Sequence, residues 1–439
     1  MKPNDTNSPS SNKPLSLGVI FLTIFIDLVG FSIIFPLFPE ILKHYAQDGL
    51  LLQLTDKIDT FAASTGMSDR FTPVLFGGAL GSIYAVFQFI FSPIWGSLSD
   101  KYGRRPILLI TTIGTGLSYI LWFFSGTFTL LIVARLFGGA MSGNLSVATA
   151  AVADVTTEKN RSKGMGLIGV AFGLGFVLGP ALGGYFSGFN LLESNPEWAQ
   201  FGVNPFSSVA LIAAVLSIVN IVWITLKFKE SYAPRTERQI RAANPFSRLM
   251  ATQTPPVRKT NFAYLIYIIA FSGMEFTLTF LGADRFNFGI PAITKMMIFI
   301  GFILILTQGG IVRRMAPKIG EKKTATIGLV FVAIGLVWIS QAPSITQLYI
   351  GLTFMALGAG LCSPTLTALV SLYSHSDDQG KALGAFRAIG SLGRAISPIF
   401  AGMIFWWFGS ESLYLGGAVL VVIAAYFCSR LPAPKNKVT

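Results

Sequence analysis

Twelve stretches of this 439-residue chain are apolar over roughly 18 residues or more: 15–42, 73–98, 105–125, 127–152, 163–188, 205–227, 261–284, 291–312, 323–340, 344–370, 380–408 and 410–430. A helix rises about 1.5 Å per residue, so each stretch matches a hydrocarbon layer about 30 Å thick. A soluble core can hide a few such helices but not a dozen. The chain is therefore expected to be an all-α polytopic membrane protein.

Only 12% of the residues are charged, and the net charge of +13 has meaning only once it is located. With the amino terminus placed in the cytoplasm, 25 of the 33 Lys and Arg residues fall in the tails and cytoplasmic loops, five on the opposite side, and Arg135, Arg387 and Arg394 inside helices. The short loops 99–106, 154–163 and 313–323 carry the bias that counts most for orientation. The basic balance thus orients the chain in a membrane, and no nucleic acid is expected as a partner. Cys362 and Cys428 lie in apolar runs, and His44 and His375 lie outside the helix centres. No disulfide framework, metal site or cofactor is expected from them.

Residues 1–14 read as a disordered cytoplasmic tail before a retained helix. Two connections are long: 43–72, a mixed polar stretch, and 228–260, a basic segment. The second has eight Lys and Arg residues from Lys227 to Lys259, which either touch anionic headgroups or simply obey the orientation rule.

An internal repeat divides the chain. GMGLIGVAFGLGFVLGPALGG at 164–184 aligns without a gap to ALGAFRAIGSLGRAISPIFAG at 382–402, a displacement of 218 residues. Gly166, Gly175, Pro180 and Gly184 meet Gly384, Gly393, Pro398 and Gly402, whereas Gly169 meets Arg387. The fifth helix thus corresponds to the eleventh, as expected of two pseudo-symmetric six-helix bundles. The expected organisation is a tail 1–14, a bundle 15–227, a cytoplasmic linker 228–260, a bundle 261–430 and a cytoplasmic tail 431–439. Gly175, Gly179 and Gly183 share one helical face and permit close approach of a neighbour, while Pro180 removes a helical hydrogen bond.

Between the second and third apolar runs stands Gly96-Ser97-Leu98-Ser99-Asp100-Lys101-Tyr102-Gly103-Arg104-Arg105-Pro106, one acid and three bases in a tight turn. A purely topological loop needs the bases but not the acid flanked by glycines. Asp100 is placed to accept hydrogen bonds from amides at a nearby helix start, with Arg104 and Arg105 pairing with other acids or lipid phosphates.

With these motifs the chain resembles the major facilitator superfamily and, within it, the drug:proton antiporter group. GSLSDKYGRRP at 96–106 matches that family's loop between helices two and three, RLFGGAMSG at 135–143 its fourth-helix motif, and GFVLGPALGG at 175–184 its antiporter motif. FIDLVGFSIIFPLFPEIL at 25–42 is similar to the opening helix of tetracycline exporters, and segments such as FSGMEFTLTF are similar to tetracycline-transporter-like proteins thought to export organic anions. The resemblance implies a twelve-helix fold working by alternating access. It also implies that Gly96, Asp100, Gly103, Arg104, Arg105, Gly175, Gly179, Pro180 and Gly184 serve gating, and that Arg135 is coupled to proton movement. The second-half loop GGIVRRMAPKIG at 309–320 departs from the pattern, with Arg314 read at the place of the acid.

Asp27 lies about 18 Å along the first helix, near mid-membrane. A lone carboxylate there has to face the bundle interior, pair with a cation or carry a proton. Glu275 in the seventh helix poses the same problem, and both are candidates for proton coupling. Glu40 and Asp284 sit near outer helix ends and read as interfacial or gate residues. Arg387 and Arg394 are seven residues apart on one helical face. A desolvated guanidinium keeps its proton, so they suit an anionic group or serve as fixed counter-ions to Asp27 and Glu275; both readings stay open. Gln88 and Asn144, with Gln308, are polar candidates because a membrane-embedded amide needs partners, and Phe31 and Phe276 are aromatic candidates for the cavity wall.

No nucleophile, acid–base pair or metal cluster points to an enzyme, and no repeated filter points to a channel. The expected function is proton-coupled export of amphipathic organic molecules, whether organic anions, zwitterions or tetracycline-like drugs. A uniporter, symporter or lipid transporter of the same fold, and a non-transporting sensor or scaffold, are the alternatives. The expected partners are a small amphipathic substrate, protons and the bilayer, with anionic lipid at the cytoplasmic loops, for a monomer. The expected location is multi-pass in a bacterial inner membrane rather than a eukaryotic one, both termini cytoplasmic.

Overall fold

A computed structural model describes residues 16–64, 71–156, 158–231, 254–374 and 379–433. The expected tail 1–14, most of the 228–260 segment and residues 434–439 lie outside these, as does His375.

Among the described residues, eleven helical units are long and apolar enough to cross a membrane, and the last holds two spans, making twelve. The first runs Leu17–Ser32, then through a short 3-10 turn at Phe35–Leu37 into Phe38–His44; Pro36 and Pro39 each remove a backbone donor and produce the break. The second is Pro73–Tyr102, the third Arg104–Phe123, the fifth Glu158–Phe186 and the sixth Ser207–Lys227. The seventh is Pro255–Phe286, the ninth Glu321–Gln341 and the tenth Ile345–Tyr373. The helix through Pro180 is continuous.

Several expected boundaries are corrected. The stretch 43–72 contains a helix, Gly49–Ser64, that the absence of a long apolar run concealed. The fourth segment is two helices, Phe128–Met141 and Asn144–Val155, parted at Ser142 and Gly143. The seventh span reaches back into the expected linker, starting at Pro255, because proline is well tolerated at a first helical position. The eighth span passes from Ile290–Leu306 through a π-helical stretch, Thr307–Ile311, into Val312–Ile319. The eleventh and twelfth spans form a nearly continuous Gln379–Ser429, cornered at Gly409, whose φ of +83° few other residues adopt.

The sixth span shows how residue size assigns each helix a face. Leu211, Val215, Ile218 and Val222 are exposed at helical spacing and form a face for lipid. Ala210, Ala213, Ser217, Asn220 and Ile224 are buried on the opposite face, where small side chains permit close packing.

Within the first half, the first span packs on the fifth and the third on the sixth; within the second, the ninth packs on the tenth and the seventh on the eleventh–twelfth unit. The halves meet through the second span against the eleventh and the fifth against the eighth. This is an all-α fold of two pseudo-symmetric six-helix bundles.

Candidate transport cavity

Between the halves lies a cavity of about 440 Å³, bounded at one end by Ser97, Asp100, Ala153 and Gly384. Towards the other end the two halves pack closely. A Cβ on Gly78 would stand 2.7 Å from the Pro398 carbonyl, and one on Gly402 2.9 Å from that of Val74. The Ile399 amide donates to Ser82 Oγ at 3.0 Å. On the fifth span a Cβ at Gly184 would collide with Thr294 of the eighth. The repeat-related glycines 184 and 402 therefore each face the opposite half.

Gly175, Gly179 and Gly183 have another partner. They abut Leu28, Ser32 and Ile33 of the first span, in the same bundle, and Ser32 Oγ donates to the Gly175 carbonyl at 2.9 Å. Gly96 lies against Ser146 of the fourth span.

The expected loop 99–106 shrinks to one residue. Helix continues through Tyr102 and restarts at Arg104, leaving Gly103 with a φ of +101°; a Cβ there would stand 2.5 Å from Glu230 Oε2. Arg104, 3% exposed, pairs with Asp100 at 2.7 Å and Asp154 at 2.8 Å. The helix-start amides of Arg104 and Arg105 donate to Glu230 at 2.8 and 3.1 Å, so Glu230 takes the part expected of Asp100. Arg105 gives its guanidinium to the Thr225 carbonyl rather than to an acid. Asp100 makes its ion pair inside its own bundle. Gly320 repeats the backbone of Gly103, with φ +84° and ψ 153° against +101° and 156°. Counting back three residues from each glycine sets Pro317, not Arg314, opposite Asp100.

The cavity wall gathers most of the sequence candidates: Asp27, Phe31, Gln88, Arg135, Glu275, Phe276, Arg387 and Arg394. Asn144 is not on it. It stands behind Asp27, donating from Nδ2 to Asp27 Oδ1 at 2.6 Å while its own carbonyl accepts from Thr111. Gln88 donates to Ser142 Oγ at 2.6 Å, beside the break in the fourth span. The Arg135 guanidinium lies 4.4 Å from the Tyr84 ring centroid, and its buried Nε has no hydrogen-bond partner among the described residues. A cation on an aromatic face is stabilised without an acid. Arg394 opens to the cavity with its guanidinium 5.9 Å from the Phe172 ring, and Arg387 donates to Thr149 Oγ1 across the two halves at 2.8 Å. Neither arginine forms an ion pair with Asp27 or Glu275, so the counter-ion reading finds no direct contact. Phe31 packs on Phe35 and Tyr84, and Phe276 on Phe38, which gives the charged groups an apolar surround. Sequence reasoning missed Ser142 and Thr149, small hydroxyl residues with no pattern of their own.

Residues 20–318 and 311–439 match the Major Facilitator Superfamily. The chain belongs to that superfamily. It is a multi-pass membrane transporter of this fold and not an enzyme, and no group of three or more metal-binding side chains occurs among the described residues. It is 33% identical over 443 residues to major facilitator superfamily domain-containing protein 10 of Bos taurus, covering 95% of this chain and 93% of that protein. The crystal structure of the human organic anion transporter MFSD10 (TETRAN) matches with a TM-score of 0.74 at 30% identity, over 94% of this chain and 98% of the other. The class H tetracycline resistance protein of Pasteurella multocida is 28% identical over 96% of this chain and 98% of its own. The expectation of a bacterial inner membrane ahead of a eukaryotic one is thereby corrected, because the superfamily members of higher identity here are mammalian.

Proposed function

We propose that this superfamily member moves amphipathic organic anions by alternating access and couples that movement to protons. The observation that carries the reading is one cavity holding three guanidiniums, the two mid-membrane carboxylates of Asp27 and Glu275, a third carboxylate, Asp100, at one end, and an aromatic wall. Guanidiniums on a cavity wall attract an anionic head, and the phenylalanines suit an apolar body. The relationship to a human organic anion transporter supports the same substrate class. Asp27 and Glu275 are the mid-membrane carboxyls of the cavity able to bind and release a proton, and Arg135 is a fixed positive charge on the same wall. The Asp100 end is read as cytoplasmic from the distribution of Lys and Arg, with halves near 15–227 and 261–430 and a monomer as the working unit.

The test is purified protein in liposomes, an imposed pH gradient and a panel of anionic and cationic amphiphiles, with proton flux as readout. Anion movement accompanied by proton flux is expected, and Asp27→Asn should abolish gradient-driven accumulation while leaving downhill exchange. Anion transport with no proton flux would remove the coupling, and equal handling of both charges would remove the substrate class.

A further inference from the structure

Behind Asp27, away from the substrate cavity, is a second space of about 10 Å³ between the first, third and sixth spans. Among the residues lining the two spaces, Asp27 alone is common to both. The rear space is small, and among its mixed lining stand polar groups that lack partners. Asn220 is 1% exposed; its Nδ2 donates to the Thr23 carbonyl at 3.0 Å, and its buried Oδ1 has no partner among the described residues. The Tyr119 hydroxyl likewise makes no hydrogen bond to a described residue. Gly30, one turn past Asp27, admits that hydroxyl: a Cβ there would stand 3.0 Å from it.

The other hydroxyls around the space have already used their protons. Thr112 donates to the Leu108 carbonyl at 2.7 Å, Thr115 to that of Thr111 at 2.9 Å and Ser217 to that of Thr112 at 3.0 Å. What remains is acceptor capacity, on Asp27, Asn220 and the hydroxyl oxygens, and one free donor on Tyr119. A metal cation would meet the acceptors but leave the Tyr119 proton unpaired. A water molecule has two donors and two acceptor positions, and a space of this size holds one.

We propose that this is a built site for a single internal water, donating to Asp27 and Asn220 and accepting from Tyr119. It ties the Asp27 carboxylate to the third and sixth spans whatever occupies the substrate cavity. Asn220 and Tyr119 are then positioning residues. The site itself stands without the coupling mechanism, although its effect on transport rests on Asp27 carrying the proton.

The experiment is a structure of the full-length protein in lipid nanodiscs at a resolution that shows internal waters, for wild type, Asn220→Leu and Tyr119→Phe. A density peak within hydrogen-bond distance of both Asp27 and Asn220 in wild type, lost in Asn220→Leu, is expected. A dry site beside other visible internal waters would overturn the proposal. So would a peak present only in sodium buffer, together with melting raised by sodium but not by choline. In liposomes, both variants should lose about five- to tenfold of gradient-driven accumulation, the worth of one hydrogen bond, with downhill exchange preserved. Equal loss of both activities would overturn the positioning role. Failure of proton coupling in wild type would leave the density result standing and count against the transport mechanism alone.

Discussion

The Asn144 side-chain amide donates a 2.6 Å hydrogen bond to Asp27 Oδ1, joining positions 117 residues apart. Because Thr111 takes the other end of the same amide, Asn144 is a bracket between the carboxylate and the third span. Asn144→Ala removes it. The expected cost is about 1–3 kcal/mol, the usual penalty for a buried polar group losing its partner, read as a lower melting temperature in detergent. Unchanged melting would mean that another donor reaches Asp27.

Arg387 and Arg394 face one cavity from one helix, so each should contribute to binding an anionic head. Replacing either by Gln is expected to raise Kd for an anionic amphiphile by about one to two decades, the equivalent of roughly 1.5–3 kcal/mol for a charge-assisted contact. A cationic amphiphile of similar size should change far less. Binding to inserted, monodisperse protein is the measurement, and equal losses for the two ligands would reduce both arginines to structure.

At the Asp100 end the two ion pairs of Arg104 are unequal. Asp154 is 12% exposed and Asp100 45%, while Arg104 itself is 3% exposed. Arg104→Gln therefore leaves Asp154, a mostly buried acid, without its cation and should cost about 3–5 kcal/mol. Asp100→Asn should cost about 1 kcal/mol or less, since an exposed pair is worth little. Thermal unfolding of the two variants side by side decides it; equal costs would contradict the assigned burial.

The opposite end is closed by glycines. Gly184→Val and Gly402→Val should each force the halves apart there, since a Cβ collides with Thr294 in the first case and approaches the Val74 carbonyl in the second. Distances between spin labels across that end are expected to lengthen, with shortening at the Asp100 end as the molecule rocks. No change in either distance would mean that the helices slide instead.

Much of this architecture could be read directly from residues. Twelve apolar runs and a gapless repeat specify two bundles because lipid admits only helices that satisfy their own backbones. Asp27, Glu275 and the three arginines inside apolar runs stood out because charge in hydrocarbon has to be used. The partners were illegible. Nothing near Asn144 in sequence points to Asp27, and the pairing of Arg104 with Asp154 needs the fold to bring two spans together. Gly175, Gly179 and Gly183 share a face as expected, yet only packing tells that they serve the first span whereas Gly184 serves the other half. The helix Gly49–Ser64 was missed for want of a hydrophobic run.

The two mouths of the cavity are made of different materials. One is shut by van der Waals contact of small residues, contributed twice by the same position of a duplicated helix. The other carries charge, and the halves are unlike there, since Pro317 stands where symmetry would put a counterpart of Asp100. Added salt acts on the second kind of contact and hardly on the first. Ionic strength is thus a handle on one mouth alone: raising it should change the rate at which the Asp100 end opens and closes while leaving the glycine seam at its own pace.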